Sequence, residues 1–284
     1  MLLYREVEVR VLRSAPIGVM DSGVGGLTVV SEIWRQLPRE QVLFYGDSAR
    51  CPYGDRTPEE IATFTFRALD YLVDRGVKML VIACNTATAI VLKRARMRYR
   101  VPVVGVIAPG ARAAIAATTA RRVGVIGTRA TIASNSYKNA LYETHQGIEV
   151  RSLACPGFVE IVEADLMDTH HARSFIQESL TPMQGSGIDT LILGCTHYPL
   201  LAPIISGALG KGVKLISSAE ETARDVSLWL TEHNMNRTDA ASPHHVFLTS
   251  GDVSAFATIA TKWLNSAVDV SYLDVWADAG VDAL

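Results

Sequence analysis

Short runs of apolar and β-branched residues alternate with longer amphipathic stretches along most of this chain. The runs predict ten strands, at 17–20, 41–45, 77–83, 101–107, 122–127, 149–154, 189–194, 213–217, 244–249 and 268–274. Strands with so few charges, alternating with helices, are typical of parallel sheets that are covered on both faces. We therefore predict an α/β fold with doubly wound, mainly parallel sheets.

Capping residues predict where several helices begin and end. One helix is expected at 27–37, closed by a proline, and another after the Thr57-Pro-Glu-Glu60 capping box, ending at Gly76. Asn85 is predicted to cap the helix after the third strand. Ser218-Ala-Glu-Glu221 is predicted to be a second capping box, opening a helix that runs to about Leu230.

A weak internal repeat relates the two halves of the chain. The segment 17–22 resembles 123–128, and the segment 80–86 resembles 191–197. In each half, one strand ends beside a small hydroxyl residue and a later strand ends beside a cysteine. Ligands bind beyond the carboxyl ends of parallel strands. Two related halves that face one another would therefore bring two thiols to opposite sides of one cleft.

Composition excludes several classes of function. The 284 residues are 49% hydrophobic and carry a net charge of only −2, so length favours two domains and charge predicts no nucleic-acid surface. Charges interrupt the apolar N-terminus, and no run approaches the roughly 20 apolar residues of a membrane span. We expect a cytoplasmic protein that has neither a membrane segment nor direct nucleic-acid partners.

The four cysteines are the next indication of function. Cys51, Cys84, Cys155 and Cys195 are expected to be reduced, and no pair has the spacing of a zinc site or a redox disulfide, so no metal is predicted. Cys84 and Cys195 each follow a predicted buried strand and precede a helix, where N–H groups and the helix dipole favour a thiolate. A single buried cysteine is more often inert, but this matched pair with polar neighbours favours catalysis.

Two opposed thiols suit the inversion of a carbon acid. One group removes the proton from one face of the carbon, and the other delivers a proton to the opposite face. Hydroxyls, amides and N–H groups at helix starts can bind substrate carboxylates without adding competing bases.

Polar residues near both cysteines extend the candidate site. Asp21 and Ser22 stand at the end of the first strand, where Asp21 could assist a thiol or bind an ammonium group. The glycines at 23–26 do not form the dinucleotide fingerprint and are interpreted as structural turns. His197 could exchange protons with Cys195, and the Tyr53-Gly54 loop could hold a carboxylate through its N–H groups.

These segments closely resemble the glutamate racemase family. The resemblance spans about residues 17–265 and is carried by six blocks: IGVMDSGVGGLT at 17–28, GDSARCPYG at 46–54, VIACNTAT at 81–88, GVIGTRAT at 124–131, ACPGFV at 154–159 and LGCTHYPL at 193–200. It implies two similar α/β domains with the active site in the cleft between them. It also implies racemisation of glutamate without pyridoxal phosphate or any other cofactor.

The resemblance assigns roles to individual residues. By analogy, Cys84 acts on D-glutamate with Asp21 as its helper, and Cys195 acts on L-glutamate with His197 as its helper. Glu163 matches an acidic position of the family and is included among the catalytic residues. The implied substrate contacts are Asp21, Ser22, Tyr53, Gly54, Asn85, Thr86, Thr128, Thr196 and His197.

The resemblance also suggests a domain division and a cellular role. The first domain is expected to hold residues 1–107 with 221–284, and the second 108–220, with crossings near Pro109-Gly110 and near Ser218. The residues before Pro16 are predicted to be an extension. D-Glutamate would serve bacterial peptidoglycan synthesis, glutamate would be the small-molecule partner, and a homodimer is one assembly that the family implies. Ser217 departs from the family by replacing an expected aspartate.

Three alternatives stay open at this point. A racemase of the same type could act on aspartate, because substrate length depends on cleft depth. A thiol redox protein could cycle a disulfide between Cys84 and Cys195, although neither has a nearby resolving cysteine. A non-catalytic binding module could have kept the fold.

Overall fold

The computed structural model describes residues 12–276. In this range ten strands form two sheets, each strand overlaps one predicted segment, and every strand pair is parallel. The predicted α/β class with two parallel sheets is therefore confirmed. Residues 1–11, which include most of the predicted extension, lie outside the described residues.

The larger sheet has six strands and the smaller has four. The strands of the larger sheet are β1 (Ile17–Asp21), β2 (Val42–Gly46), β3 (Met79–Ile82), β4 (Val103–Gly105), β9 (Val246–Thr249) and β10 (Val270–Tyr272). The strands of the smaller sheet are β5 (Arg122–Gly127), β6 (Glu149–Ala154), β7 (Thr190–Gly194) and β8 (Lys214–Ser217).

The order of the strands supports the internal repeat. The larger sheet runs β10-β9-β2-β1-β3-β4, and the smaller runs β6-β5-β7-β8. The segment β2-β1-β3-β4 thus has the same arrangement as the whole smaller sheet. In this arrangement β1 corresponds to β5 and β3 corresponds to β7, which are the strand pairs that the repeated segments contain.

Helices cover the faces of both sheets and bury the apolar strands between them. They are α1 (Leu27–Gln36), α2 (Pro58–Asp74), α3 (Asn85–Arg98), α4 (Ile107–Ala117), α5 (Arg129–Ala133), α6 (Ser136–Thr144), α7 (Phe158–Glu163), α8 (His170–Ser179), α9 (Ala202–Leu209), α10 (Ala219–Glu232) and α11 (Val253–Leu264). Among the described residues, no helix is long and apolar enough to span a membrane.

The boundaries of α2 follow the sequence prediction. The Thr57 hydroxyl accepts a hydrogen bond from the Glu60 N–H at 3.2 Å, and the Glu60 carboxylate accepts one from the Thr57 N–H at 2.9 Å. Such a cap stabilises a helix by about 1 kcal/mol. Gly76 follows the helix with a φ of +74°, a conformation that glycine adopts without strain.

Two predicted caps are wrong. The N-cap of α3 is Cys84, whose sulfur accepts a hydrogen bond from the Ala87 N–H at 3.4 Å, and Asn85 is the first helical residue. The backbone of Ser218 is already helical, with φ −76° and ψ −12°, and its side chain makes no capping hydrogen bond. A capping side chain normally needs an extended backbone to reach the N–H groups of the first turn.

Pro109 and Gly110, near which the first crossing is predicted, lie inside α4. Pro109 occupies the first turn, where a missing N–H group costs the helix little. Ser218, near which the second crossing is predicted, lies between β8 and α10. The exact division into domains stays a prediction.

Candidate active site

The carboxyl ends of the corresponding strands supply the chemically active side chains. Asp21 ends β1, Cys84 follows β3, Thr128 follows β5 and Cys195 follows β7. Hydrogen bonds connect residues of the two halves at this edge, so the ends of both sheets face the same region. The structure therefore brings the two predicted thiols to one site from equivalent positions in the two halves.

Asp21 links the first half to the second. The Thr196 hydroxyl donates to Asp21 Oδ2 at 3.1 Å, and the Gly23 N–H donates to Asp21 Oδ1 at 3.0 Å. The carboxyl group has no exposed surface. Burial raises its pKa, the charge of His197 opposes that effect, and the resulting pKa is about 6. At neutral pH the site therefore holds a buried carboxylate.

A second set of contacts crosses the site beside α3. Thr86 Oγ1 lies 2.9 Å from Thr128 Oγ1, and both hydroxyls are buried. The Tyr137 hydroxyl donates to Asn85 Oδ1 at 2.6 Å. A side chain at Gly54 would overlap Thr128, so this position needs glycine for close approach. The structure therefore brings together three of the predicted substrate contacts, namely Asn85, Thr86 and Thr128.

The environment of Cys84 differs from the sequence expectation. Its sulfur lies 3.5 Å from Ser22 Oγ and receives the Ala87 N–H. Burial, followed by the negative charge of Asp21, raises the pKa of this thiol to about 12, although the Ala87 N–H acts in the opposite direction. Cys84 therefore carries its proton at neutral pH, because burial outweighs the effect of the helix start.

Cys195 belongs to a chain of hydrogen-bonding groups. Its sulfur lies 3.6 Å from His197 Nδ1, and His197 Nε2 lies 2.6 Å from Glu163 Oε1. Burial by itself would lower the pKa of His197. Hydrogen bonds to Cys195 and Glu163 and their negative charges outweigh burial and raise this pKa well above its ordinary value. His197 is therefore an imidazolium at neutral pH.

Glu163 lies at the junction of three groups. Its Oε1 atom accepts the Val24 N–H at 3.0 Å and lies 3.6 Å from the sulfur of Cys51, in addition to its contact with His197. Burial would raise the pKa of this carboxyl group, but the hydrogen bond and charge of His197 and the Val24 N–H lower it. Glu163 is thus ionised and fixed against the imidazolium.

The glycines after Asp21 do more than form a turn. A Cβ atom at Gly23 would overlap Glu163 Oε1, and one at Gly25 would overlap Thr196 Oγ1 and His197 Nδ1. The interpretation of these glycines as structural turns was therefore incomplete. Both positions let the main chain of the first half approach catalytic candidates of the second half.

The side chain of Tyr53 does not reach the site with a free hydroxyl. The hydroxyl donates to Asp47 Oδ2 at 2.7 Å, and the residue is only 1% exposed. The contact predicted for the Tyr53-Gly54 loop would therefore have to come from main-chain N–H groups.

Two residues of this site are not predicted from the sequence. Tyr137, which orients the Asn85 amide, comes from α6 and carries no local motif. Cys51, which contacts Glu163, lies in the conspicuous GDSARCPYG block, and its position after β2 corresponds to that of Cys155 after β6. Two of the four cysteines, Cys51 and Cys155, have no predicted role, and this leaves both as candidates.

Comparison with known proteins places this geometry in a class. The Asp/Glu/Hydantoin racemase family matches residues 17–226, and the chain belongs to this family of isomerases. A glutamate racemase of Shouchella clausii is 53% identical over 256 residues, covering 90% of this chain and 92% of that protein. Within the family, the chain therefore groups with the glutamate racemases.

Solved structures agree with this placement. A crystal structure of a glutamate racemase isoform from Bacillus anthracis has a TM-score of 0.89 and 47% identity, covering 92% of this chain and 98% of that one. A Francisella tularensis glutamate racemase, solved in complex with D-glutamate, has a TM-score of 0.87 and 32% identity. This comparison covers 94% of this chain and 100% of that one.

Proposed function

We propose that this protein interconverts L- and D-glutamate with Cys84 and Cys195 as opposed acid and base, and without pyridoxal phosphate. The observation that carries the proposal is the position of the two cysteines after the equivalent strands β3 and β7, at carboxyl ends whose residues contact one another across the two halves. The choice of substrate is supported by relatives that are named glutamate racemase and are 53% and 50% identical to this chain.

The proposed reaction exchanges one proton on each face of the α-carbon. From L-glutamate, the thiolate of Cys195 takes the α-proton, and the electron pair of the broken C–H bond passes to the carbanion. The thiol of Cys84 then protonates the opposite face and becomes a thiolate. D-Glutamate reacts by the same steps in reverse, so each turnover leaves the two cysteines with exchanged protonation.

The resting protonation of the site supports this scheme. The raised pKa of Cys84, about 12, keeps that thiol ready to donate a proton. The imidazolium of His197 lies beside Cys195 and can exchange a proton with its sulfur. Glu163 holds the imidazole from the other side. This arrangement suits the direction that starts from L-glutamate.

Hydrogen bonding, instead of a cofactor, would stabilise the carbanion. N–H groups and hydroxyls that already point to a buried site stabilise developing negative charge more strongly than water does. The N–H groups at the start of α3, together with Asn85 and Thr86, are suited to one carboxylate. Ser22, Thr128 and Thr196 supply further hydroxyl groups.

We also propose the larger setting of this reaction. The domains would comprise residues 1–107 with 221–284, and 108–220, and closing of the cleft over glutamate would exclude water. The product would supply D-glutamate for peptidoglycan in the bacterial cytoplasm. The protein would need no nucleic-acid partner, and a homodimer is the assembly proposed from the family.

Proton NMR of L-glutamate in heavy water, with purified protein and no added cofactor, tests the proposal. The α-proton signal should disappear while chiral analysis detects D-glutamate. Exchange of L-aspartate with none of L-glutamate would replace the substrate assignment. Activity that requires an oxidant and a reductant would instead indicate the thiol redox alternative, and a folded protein without exchange of either acid would indicate a binding module.

A further inference from the structure

Three potential metal ligands converge in the candidate active site, and two of them, Glu163 and His197, are proposed catalytic residues. Cys51 lies in the loop after β2, Glu163 is the last residue of α7, and His197 follows β7. One ligand atom of each lies within 4.8 Å of the others. We propose that these residues form a Zn²⁺ site, hereafter the Cys51–Glu163–His197 site, and that its occupation inhibits racemisation.

Two of the three distances between donor atoms are close to those that zinc requires, and the third, between Cys51 Sγ and His197 Nε2, is within 4.8 Å. With ordinary zinc bond lengths and tetrahedral angles, a sulfur and an oxygen ligand lie about 3.6 Å apart, and a nitrogen and an oxygen ligand about 3.3 Å apart. The distance from Cys51 Sγ to Glu163 Oε1 is 3.6 Å. The distance from His197 Nε2 to Glu163 Oε1 is 2.6 Å, so the imidazole has to move by less than about 1 Å.

The charges of the site also favour a divalent cation. A Cys51 thiolate and the Glu163 carboxylate together neutralise Zn²⁺, which reduces the cost of placing its charge in a largely buried position. Binding replaces the protons of the Cys51 thiol and of His197 Nε2, and these protons pass to the solvent. Sulfur, imidazole and carboxylate ligands together favour zinc over magnesium or calcium.

Main-chain contacts hold the ligands in place. The Val24 N–H fixes Glu163 Oε1, and the absence of a side chain at Gly23 lets the backbone lie against both Glu163 and Cys51. Groups that orient metal ligands in this way contribute substantially to affinity. Three protein ligands leave a fourth position for water, as in open zinc sites.

Zinc at this site would oppose catalysis in two ways. Coordination of His197 Nε2 removes its proton and fixes the imidazole, whose other nitrogen faces Cys195. The metal also ties the loop of Cys51 to Glu163 and His197 across the cleft. Metal binding itself does not depend on the proposed function, whereas the inhibition rests on it.

The test compares the wild type with Cys51→Ser and with Cys155→Ser as a matched control, because Cys155 is a buried thiol outside the three-residue site. After chelator treatment, each protein is titrated with ZnCl₂ by calorimetry and assayed for racemisation in zinc-buffered solution. We expect one zinc per wild-type chain. Cys51→Ser should weaken binding by more than about tenfold, since losing even groups that only orient a ligand costs about 10–100-fold.

The same titration gives the expected inhibition. With free zinc at ten times the dissociation constant, the wild-type rate should fall to about one-tenth, by simple mass action. Cys155→Ser should behave as the wild type, and the rate of Cys51→Ser, measured against its own zinc-free rate, should not fall at this zinc concentration. Zinc should also protect Cys51 from alkylation in the wild type, as measured by peptide mass spectrometry, which gives a result even if the variants fail to fold.

Several outcomes would overturn the proposal. Absence of zinc binding would do so, as would equal zinc affinity of Cys51→Ser and the wild type. Protection of Cys84 and Cys195 without protection of Cys51 would place the metal on the catalytic pair instead. If the chelated wild type failed to racemise glutamate, the proposed function would fail, while calorimetry and alkylation would still decide the metal site.

Discussion

Replacement of Asp21 by asparagine should stabilise the folded protein at neutral pH while removing racemisation. Asp21 is fully buried, and burial raises its pKa to about 6. An asparagine can keep the hydrogen bond from the Gly23 N–H, and its amide can donate to Thr196 Oγ1. It removes the buried charge, and with it the proposed helper of Cys84.

The magnitude follows from the pKa difference between the folded and unfolded chains. An unfolded aspartate has a pKa of about 3.9, so the folded state holds the proton of Asp21 more tightly, and stability falls as pH rises from about 4 to 6. The ionisation of buried Asp21 lowers the free energy of unfolding of the wild type by about 3 kcal/mol above pH 7. At pH 4.5 it lowers this free energy by only about 1 kcal/mol. Asp21→Asn should therefore exceed the wild type in stability by these amounts.

Urea denaturation followed by circular dichroism, at pH 8 and pH 4.5, measures the difference. Asp189→Asn is a control of opposite sign. Burial alone would raise the pKa of Asp189, but the Ala120 N–H, the Thr118 hydroxyl and the Thr119 N–H hold it below its usual range. That variant should lose stability at pH 8 and by nearly the same amount at pH 4.5, because the stabilisation by ionised Asp189 is lost only as pH falls below the ordinary aspartate pKa. If the difference in free energy of unfolding between Asp21→Asn and the wild type were no smaller at pH 4.5 than at pH 8, the reasoning would be refuted.

Two further substitutions test the packing around the site and beneath it. Gly25→Ala should lower the rate of racemisation by more than about tenfold and the free energy of unfolding by about 1–3 kcal/mol, because the new methyl group overlaps His197. Gly212→Ala is the control: the space around Gly212 is open, so this variant should leave the rate and the melting curve unchanged. Lys78→Met should lower the free energy of unfolding, measured by urea denaturation, by about 3–5 kcal/mol, because it leaves Glu40 without its partner in a buried ion pair at 2.6 Å. A Lys78→Met/Glu40→Gln double variant that recovered no stability would contradict this explanation.

The fold could be predicted because its strands are apolar and separated by recognisable turns. All ten strands in the described range overlap predicted segments, since most of them are buried apolar runs bounded by polar or helix-starting residues, although β6 is largely exposed. The capping residues were less predictable. Cys84 replaced Asn85 as a cap because the Asn85 side chain bonds Tyr137 from the other half, a tertiary contact that local sequence does not reveal.

The site could be predicted only as far as its motifs lie at strand ends. Cys84 and Cys195 stood out because both follow predicted strands in repeated segments. The contact of Cys51 with Glu163 joins residues more than a hundred positions apart and depends on how the two halves face one another. The raised pKa of Cys84 likewise depends on its degree of burial, which the residues at the helix start do not indicate.

The most direct test of the account is the turnover of Cys84→Ser and Cys195→Ser with L- and D-glutamate. Serine is nearly isosteric with cysteine, but its hydroxyl is a far weaker acid, so each variant should keep the wild-type melting curve. Each should lose racemisation in both directions, by more than about a thousandfold, because one face of the α-carbon then lacks its proton carrier. Wild-type turnover by either folded variant would contradict the two-thiol mechanism.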